Sequence, residues 1–162
     1  MAQHAPMSSQ FGFQTKDQSS VVVTKPGPAR EFRPDYYSDM STAATLICVV
    51  DDDESVRESL PDLLQEFGFA SEVFSAAGDF LQYASIAKIK CLILDIAMPE
   101  MSGPELRLEL LKRGHELPTI FITAHADFAS QLDQREGVIA CLTKPFSETA
   151  LLEALKRALN LQ

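Results

Sequence analysis

The stretch CLILDIAMPEMSG, from Cys91 to Gly103, is the part of the sequence that decides the fold. It opens with four apolar residues, places a single acid, Asp95, directly after them, and then turns through Pro99 and Gly103. The apolar run is too short for a helix and too continuous for a half-exposed strand, so it predicts a central parallel strand covered on both faces. An acid that ends such a strand lies in the crevice where open α/β sheets bind ligands.

The same alternation of short apolar runs and helix-like segments continues along the chain from Leu46. The predicted strands are Leu46–Val50, Ala70–Phe74, Cys91–Asp95, Thr119–Thr123 and Val138–Leu142. Helix-like segments follow each of them. Five such units predict an α/β fold, a doubly wound five-stranded parallel sheet in a single domain that spans residues 46–162.

The first helix is bounded by capping signals but contains a proline. Ser55 and Glu58 have the spacing of a capping box, and Gly68 ends the apolar periodicity. An interior proline removes one hydrogen bond and costs about 3 kcal/mol. Pro61 therefore predicts that this helix is kinked or starts later than its cap suggests.

Serines mark the starts of the later helices. Ser75 predicts the cap of a short second helix that reaches Ala84. Ser102 and Glu105 form a second capping box, with a proline at the first helical position. Ser147 predicts the cap of the last helix, whose core-facing side is Leu151, Leu152, Leu155 and Leu159.

Residues 1–45 have a different composition from the rest of the chain. They hold four of the nine prolines and no sustained periodicity. Such a segment buries too little apolar surface to offset its chain entropy, so we expect a disordered N-terminal extension. Met40 lies just before the first strand, which leaves open that the native protein starts there.

Charge and cysteine content exclude several kinds of partner. The chain has 14 basic and 23 acidic residues, and residues 1–45 contain four of each, so the net charge of −9 belongs to the rest. No cluster of Lys and Arg is present, which argues against a nucleic-acid surface.

No run reaches the roughly 18 apolar residues of a membrane span, and the start is not a signal peptide. The three cysteines lie within apolar runs, are odd in number and form no CxxC pair, which favours buried, reduced thiols in a cytoplasmic protein.

Polar side chains end four of the five predicted strands. They are Asp51 and Asp52, Asp95, Thr123 and Lys144. Because the carboxyl ends of parallel strands meet at one edge of a sheet, we expect these side chains to lie close together. Three carboxylates and one ammonium leave a local charge that one Mg²⁺ would balance, and Mg²⁺ prefers oxygen ligands.

With these residues in place, the chain from Leu46 to Leu161 resembles the receiver domains of bacterial two-component response regulators. The segments VVDD, LDIAMPEMSG, ITAH and TKPF stand in the family's order. Their residues are most similar to those of receivers that usually precede LuxR-type DNA-binding domains. The resemblance implies the flavodoxin-like strand order 2-1-3-4-5. It also implies a phosphoacceptor signalling domain and not an enzyme, with Asp95 accepting a phosphoryl group from a sensor histidine kinase or a histidine phosphotransfer protein.

The resemblance assigns a role to each strand-end residue. The implied Mg²⁺ ligands are the carboxylates of Asp51, Asp52 and Asp95 and the backbone carbonyl of Ala97. Lys144, whose peptide bond to the next proline is cis in the family, neutralises the phosphoryl oxygens together with the metal ion. Thr123 donates its hydroxyl once the acyl phosphate exists.

Ordinary structural roles compete with these assignments. Asp53 and Glu54 are better explained as the acidic first turn of a helix, which the helix dipole favours. Asp95 alone could be a turn acid, and Thr123 alone an ordinary strand-end residue. His125 by itself is expected to be a solvated loop residue.

Some residues depart from the family's pattern, on the face that transmits the signal. Cys141 stands where receivers commonly have Tyr or Phe on the fifth strand, and the helix predicted from Phe128 is weak and short. We expect a downstream protein to bind the face formed by that helix and the fifth strand. The sequence leaves open whether the protein forms a homodimer. The chain stops at Gln162 without a DNA-binding domain, so we expect either a stand-alone receiver or the product of a gene that lost its output domain.

Two alternatives remain beside a phosphorylated switch. A degenerate receiver would serve as a phosphate sink or as an interaction module that does not depend on phosphorylation. The second alternative, a doubly wound hydrolase with Asp95 as covalent nucleophile, is less well supported. Such enzymes commonly need a second acid close after the nucleophile, and none follows within the next three residues.

Overall fold

The structure, a computed structural model, describes residues 44–128 and 137–162. The expectation of a disordered extension and the alternative start at Met40 therefore fall on residues outside the described ranges. So does most of the weak helix predicted from Phe128. Residues 126–128 form a helical turn where the first range ends.

A five-stranded sheet organises the described part of the chain. Its strands are β1 (Leu46–Val50), β2 (Ala70–Phe74), β3 (Ile89–Asp95), β4 (Thr119–Thr123) and β5 (Val138–Thr143). Every neighbouring pair is parallel, and the order is β2-β1-β3-β4-β5. Both the doubly wound fold class and the predicted strand order are confirmed. β3 begins two residues before its predicted start and still ends on Asp95.

Four helices that lie wholly within the described residues pack on the two faces of this sheet. They are α1 (Glu54–Glu66), α2 (Ala77–Leu81), α3 (Gly103–Lys112) and α4 (Glu148–Leu159), with a short 3-10 turn at Ile86–Lys88. Within the described ranges, no helix is both long enough and apolar enough to cross a membrane.

The core consists of two apolar layers that share the central strand. Cys91 and Ile93 of β3 pack with α1 and α4 on one face, while Leu92 and Leu94 pack with α2 and α3 on the other. All four side chains are fully buried. Because both faces are covered, each large apolar side chain of β3 contributes about 1.5–3 kcal/mol. The strand that carries Asp95 is therefore held firmly on both of its faces.

The cap of α1 differs from the prediction. Asp53 is the N-cap, and its carboxylate accepts hydrogen bonds from the backbone N–H (2.9 Å) and the hydroxyl (2.7 Å) of Ser55. The predicted box of Ser55 and Glu58 was wrong because the helix starts at Glu54, which places Ser55 inside the first turn and not at the N-cap. The helix starts at Glu54 and continues through Pro61, so a later start is also wrong. Asp53 and Glu54 hold the structural roles expected of them.

The second helix is shorter than predicted and lacks a side-chain cap. Its N-cap is Ala76, and it ends at Leu81 instead of Ala84, so the cap predicted at Ser75 was wrong. Packing holds this helix instead: Phe80 is fully buried, and its ring meets that of Phe74 edge to face at 5.3 Å. A single turn fixed by one buried ring does not require a polar cap.

The other capping predictions are confirmed. Ser102 and Glu105 form a complete capping box at the start of α3, and Ser147 accepts from the N–H of Ala150 at the start of α4. On α4, Leu151 and Leu155 are buried, whereas Leu152 and Leu159 are half-buried.

Candidate functional site

The carboxyl ends of β1, β3, β4 and β5 meet at one edge of the sheet. β1 and β3 are neighbours, and the chain leaves them toward opposite sides, which opens a crevice between their ends. The polar residues predicted from the sequence follow or end these strands. Asp51, Asp95 and Thr123 are buried, whereas Asp52 is exposed.

Lys144 joins two of the carboxylates. Its ammonium Nζ lies 2.8 Å from Oδ2 of Asp51 and 3.3 Å from Oδ1 of Asp95. Its backbone N–H donates to the carbonyl of Thr123 at 2.7 Å, and its peptide bond to Pro145 is cis, as predicted. A residue from the end of the sheet thus reaches the carboxylates of two inner strands.

Asp51 is held by several separate hydrogen bonds. Its N–H donates to the carbonyl of Phe74 at 3.1 Å, and its Oδ1 accepts from the N–H of Asp53 at 2.8 Å. Its own carbonyl oxygen accepts from Nη1 of Arg57 at 2.9 Å. The segment that presents Asp52 is therefore fixed on both sides.

The three carboxylates lie close enough together to hold one cation. One oxygen from each of Asp51, Asp52 and Asp95 lies within 4.8 Å of the other two. All are hard oxygen donors, and two of the side chains are buried, a donor set that fits Mg²⁺. Ala97 is exposed two residues after Asp95, and the role of its carbonyl as a ligand stays a prediction.

The environment disfavours the charge on Asp95. Burial raises the pKa of the Asp95 carboxyl, and the nearby carboxylate of Asp51 raises it further, although Lys144 acts in the opposite direction. For Lys144, burial alone would lower the pKa of the ammonium, but its bonds to Asp51 and then Asp95 outweigh burial and raise it. The ammonium is thus held in its charged form against the acidic cluster.

The hydroxyl of Thr123 is bonded within its own loop. It donates to the carbonyl of His125 at 3.3 Å and accepts from the N–H of the same residue at 3.0 Å. His125 itself is exposed, as expected of a solvated loop residue, and its ring packs against Phe128. The predicted role of Thr123 at a phosphoryl group requires this hydroxyl to exchange partners, and it stays a prediction.

Two residues of the site were not identified from the sequence. Gly103 donates its N–H to the carbonyl of Ile96 at 3.1 Å, and a Cβ on Gly103 would collide with the carbonyl oxygen of Asp95. Arg57 holds the carbonyl of Asp51. The glycine after the turn was a visible signal, whereas the arginine in the first turns of a helix looked like an ordinary surface charge.

A doubly wound parallel sheet with a lysine and a carboxylate cluster at its carboxyl edge is the arrangement expected of a receiver domain. The chain belongs to the response regulator receiver domain family, whose model matches its residues 47–156. The resemblance recognised in its sequence is confirmed.

Individual relatives agree with the family. Over 123 residues the chain is 40% identical to the response regulator protein TodT of Pseudomonas putida. The match covers 75% of this chain and 54% of TodT, so the chain spans about half the length of that relative.

Solved structures show the same fold. The response regulator StyR is 43% identical, with a TM-score of 0.67 over 74% of this chain and 61% of StyR. A response regulator receiver protein from Burkholderia phymatum is 32% identical, with a TM-score of 0.63 over 73% of this chain and 97% of its own.

Proposed function

We propose that the protein accepts a phosphoryl group on Asp95 as part of a two-component signalling pathway. The observation that carries the proposal is the contact of Lys144 with the carboxylates of both Asp51 and Asp95. In this contact a charged ammonium lies beside Asp95, the residue we propose as the nucleophile, and beside a second carboxylate of the acidic cluster. Membership of the receiver family supports the same chemistry.

The reaction follows from the charges in the crevice. An ionised oxygen of Asp95 attacks the phosphorus of a phosphohistidine, the P–N bond breaks as the P–O bond forms, and the departing imidazole takes up a proton. Transfer of this kind depends on positioning and on neutralising the phosphoryl oxygens more than on covalent assistance. Lys144 supplies one positive charge beside the attacking carboxylate of Asp95. Thr123 supplies a hydroxyl donor to the phosphoryl group once that hydroxyl has left the carbonyl of His125.

The acidic cluster is suited to a divalent cation during this reaction. Asp51, Asp52 and Asp95 would hold Mg²⁺, with the carbonyl of Ala97 as a further ligand. When bound, the ion supplies positive charge that neutralises phosphoryl oxygens. Without it, two negative charges in the crevice remain unbalanced and repel an incoming phosphoryl group.

The phosphodonor we propose is a sensor histidine kinase or a histidine phosphotransfer protein. The readout we propose is a contact with a downstream protein that involves β5 and the loop from Thr123 to Phe128. The ring of Phe128 is 47% exposed and offers apolar surface to such a partner.

A labelling experiment tests the proposal. Incubation with a small phosphodonor such as acetyl phosphate and Mg²⁺ should add one phosphoryl group to the wild type, detected by intact-protein mass spectrometry. Asp95→Asn should not be labelled. Asp53→Asn is the matched control, since Asp53 caps α1 and asparagine is an equally good cap. Equal labelling of wild type and Asp95→Asn would contradict the proposal.

A second candidate function is a receiver that is phosphorylated without switching, or that binds partners regardless of phosphorylation. Cys141 favours it, because a half-buried thiol packed against the apolar layer of α2 and α3 replaces the ring that receivers commonly have there. Comparing amide NMR spectra with and without beryllofluoride separates the two candidates. Shifts confined to the residues around Asp95 would favour the second, and shifts that extend into β5 would favour the first.

A further inference from the structure

Arg57 makes a contact that the fold alone does not require. It lies in α1, six residues after Asp51, and its half-buried side chain turns back to donate from Nη1 to the carbonyl oxygen of Asp51 at 2.9 Å. The backbone of α1 is already started by the Asp53 cap. The guanidinium therefore adds a second tie between the helix and the end of β1.

That tie acts on the segment that presents two of the three carboxylates. The Asp51 carbonyl is the first half of the peptide unit whose N–H belongs to Asp52, so holding the carbonyl fixes the plane from which Asp52 projects. Asp52 is exposed, and no hydrogen bond to its carboxylate is found within the described ranges, so its position depends on its backbone.

We propose that Arg57 is a positioning residue for the divalent-cation site: its hydrogen bond to the Asp51 carbonyl holds the Asp51–Asp52 segment in the orientation that binds Mg²⁺. This inference rests on the metal-assisted function proposed above. Partners in this outer position orient metal ligands, and their loss typically weakens metal affinity about 10- to 100-fold.

Charge and hydrogen bonding make opposite predictions here. A guanidinium that acted only through its charge would repel Mg²⁺, so removing it would tighten binding. If Arg57 acts by holding the carbonyl, removing it loosens the ligands and weakens binding. The sign of the change in affinity therefore distinguishes the two roles.

The experiment compares Arg57→Met, which keeps an apolar stem and loses the donors, with Arg57→Lys, which keeps one charged donor. Arg113→Met is the matched control, because Arg113 also donates to a backbone carbonyl, that of Leu81 at 3.4 Å, far from the crevice. The Mg²⁺ dissociation constant is measured by titrating Mg²⁺ and following amide NMR shifts. Unfolding by urea without Mg²⁺ is measured for the same proteins.

We expect Arg57→Met to weaken Mg²⁺ binding about tenfold, Arg57→Lys to weaken it less, and Arg113→Met to leave it unchanged. Should Arg57→Met fail to fold, Arg57→Gln, whose shorter side chain and neutral donor hold the Asp51 carbonyl less well than arginine does, is expected to weaken Mg²⁺ binding in its place, and unchanged binding in it would equally contradict the inference. Unchanged or tighter binding in Arg57→Met, or equal weakening in Arg113→Met, would overturn the inference.

Failure of the proposed function leads to a different result. A wild type that binds Mg²⁺ but is not labelled on Asp95 would refute phosphoryl acceptance and leave the Arg57 effect to be judged by the dissociation constants. A wild type with no Mg²⁺-induced shifts overturns the positioning role, whatever the labelling shows.

Discussion

Asp95 holds a charge that its surroundings disfavour. Its side chain is 7% exposed, and burial and Asp51 together raise the pKa of its carboxyl. A raised pKa in the folded state means that the folded protein binds the proton more tightly than the unfolded chain. The ionised form therefore destabilises the fold at pH values above the folded pKa, and this penalty disappears as the pH falls below the unfolded value of about 3.9.

Replacing Asp95 with asparagine should remove this penalty. Without divalent ions, the variant should have a larger free energy of unfolding than wild type near neutral pH, because the asparagine is neutral and its oxygen can still accept from Lys144. The difference should shrink as the pH falls toward about 4. Urea titrations at several pH values measure it. A variant less stable than wild type near neutral pH would show that the ion pair with Lys144 outweighs burial.

The main residues of the site could be predicted because strand ends are readable in a sequence. Asp95 and Lys144 each follow an apolar run, and the carboxyl ends of parallel strands share an edge. Arg57 could not be found this way, since its contact depends on how a helix side chain turns back onto the strand before it. The partner of the Thr123 hydroxyl was likewise unreadable, because it is set by a local turn and not by any pattern.

Helix α3 starts with a polar cap and a close contact with the backbone of β3. Ser102 accepts from the N–H of Glu105, and the carboxylate of Glu105 accepts from the Ser102 N–H at 2.8 Å. Ser102→Ala should lower the free energy of unfolding by about 1 kcal/mol. Ser75→Ala is the control: the sequence predicts a cap there, but the N-cap of α2 is Ala76, so no loss is expected in urea unfolding. A loss at Ser75 equal to that at Ser102 would contradict this assignment.

Gly103, at the start of α3, lies too close to the backbone of β3 to carry a side chain. A Cβ on Gly103 would collide with the carbonyl oxygen of Asp95 and lie 3.2 Å from the ring of Phe121. Gly103→Ala should therefore destabilise the protein by about 1–3 kcal/mol and slow labelling of Asp95. Gly78 in α2 has open space at the same position, so Gly78→Ala should stabilise by up to about 1 kcal/mol. Thermal unfolding of both variants measures the contrast, and equal effects would refute it.

Caps divide into those that the sequence predicts and those that it does not, for a physical reason. The box of Ser102 and Glu105 is local, so its two residues suffice to predict it. At α1, Asp53 and Ser55 are both possible N-caps, and Asp53 takes the role because its carboxylate accepts from both the N–H and the hydroxyl of Ser55. At α2, tertiary packing of Phe80 replaces a cap altogether. Competition and packing are not visible in a capping motif.

The fold brings several acidic side chains to one site, where a bound cation can neutralise part of their charge. The net charge of the chain is −9, and three carboxylates lie together at one edge of the sheet. Such a site is less stable without a cation than with one, so the folded state and a bound cation should stabilise each other. The unfolded chain has no comparable cluster.

Mg²⁺ should therefore stabilise the fold by mass action. Once its concentration is well above the dissociation constant, each tenfold increase should add about 1.4 kcal/mol to the free energy of unfolding. Asp52→Asn removes one ligand from the exposed side of the cluster and should abolish most of this gain, while Glu58→Gln removes an exposed charge from α1 and should keep it. Urea unfolding at constant ionic strength, with NaCl replacing MgCl₂, measures the effect. Equal stabilisation by both salts, or an unchanged gain in Asp52→Asn, would show that general screening of the acidic chain, and not a site at the sheet edge, accounts for it.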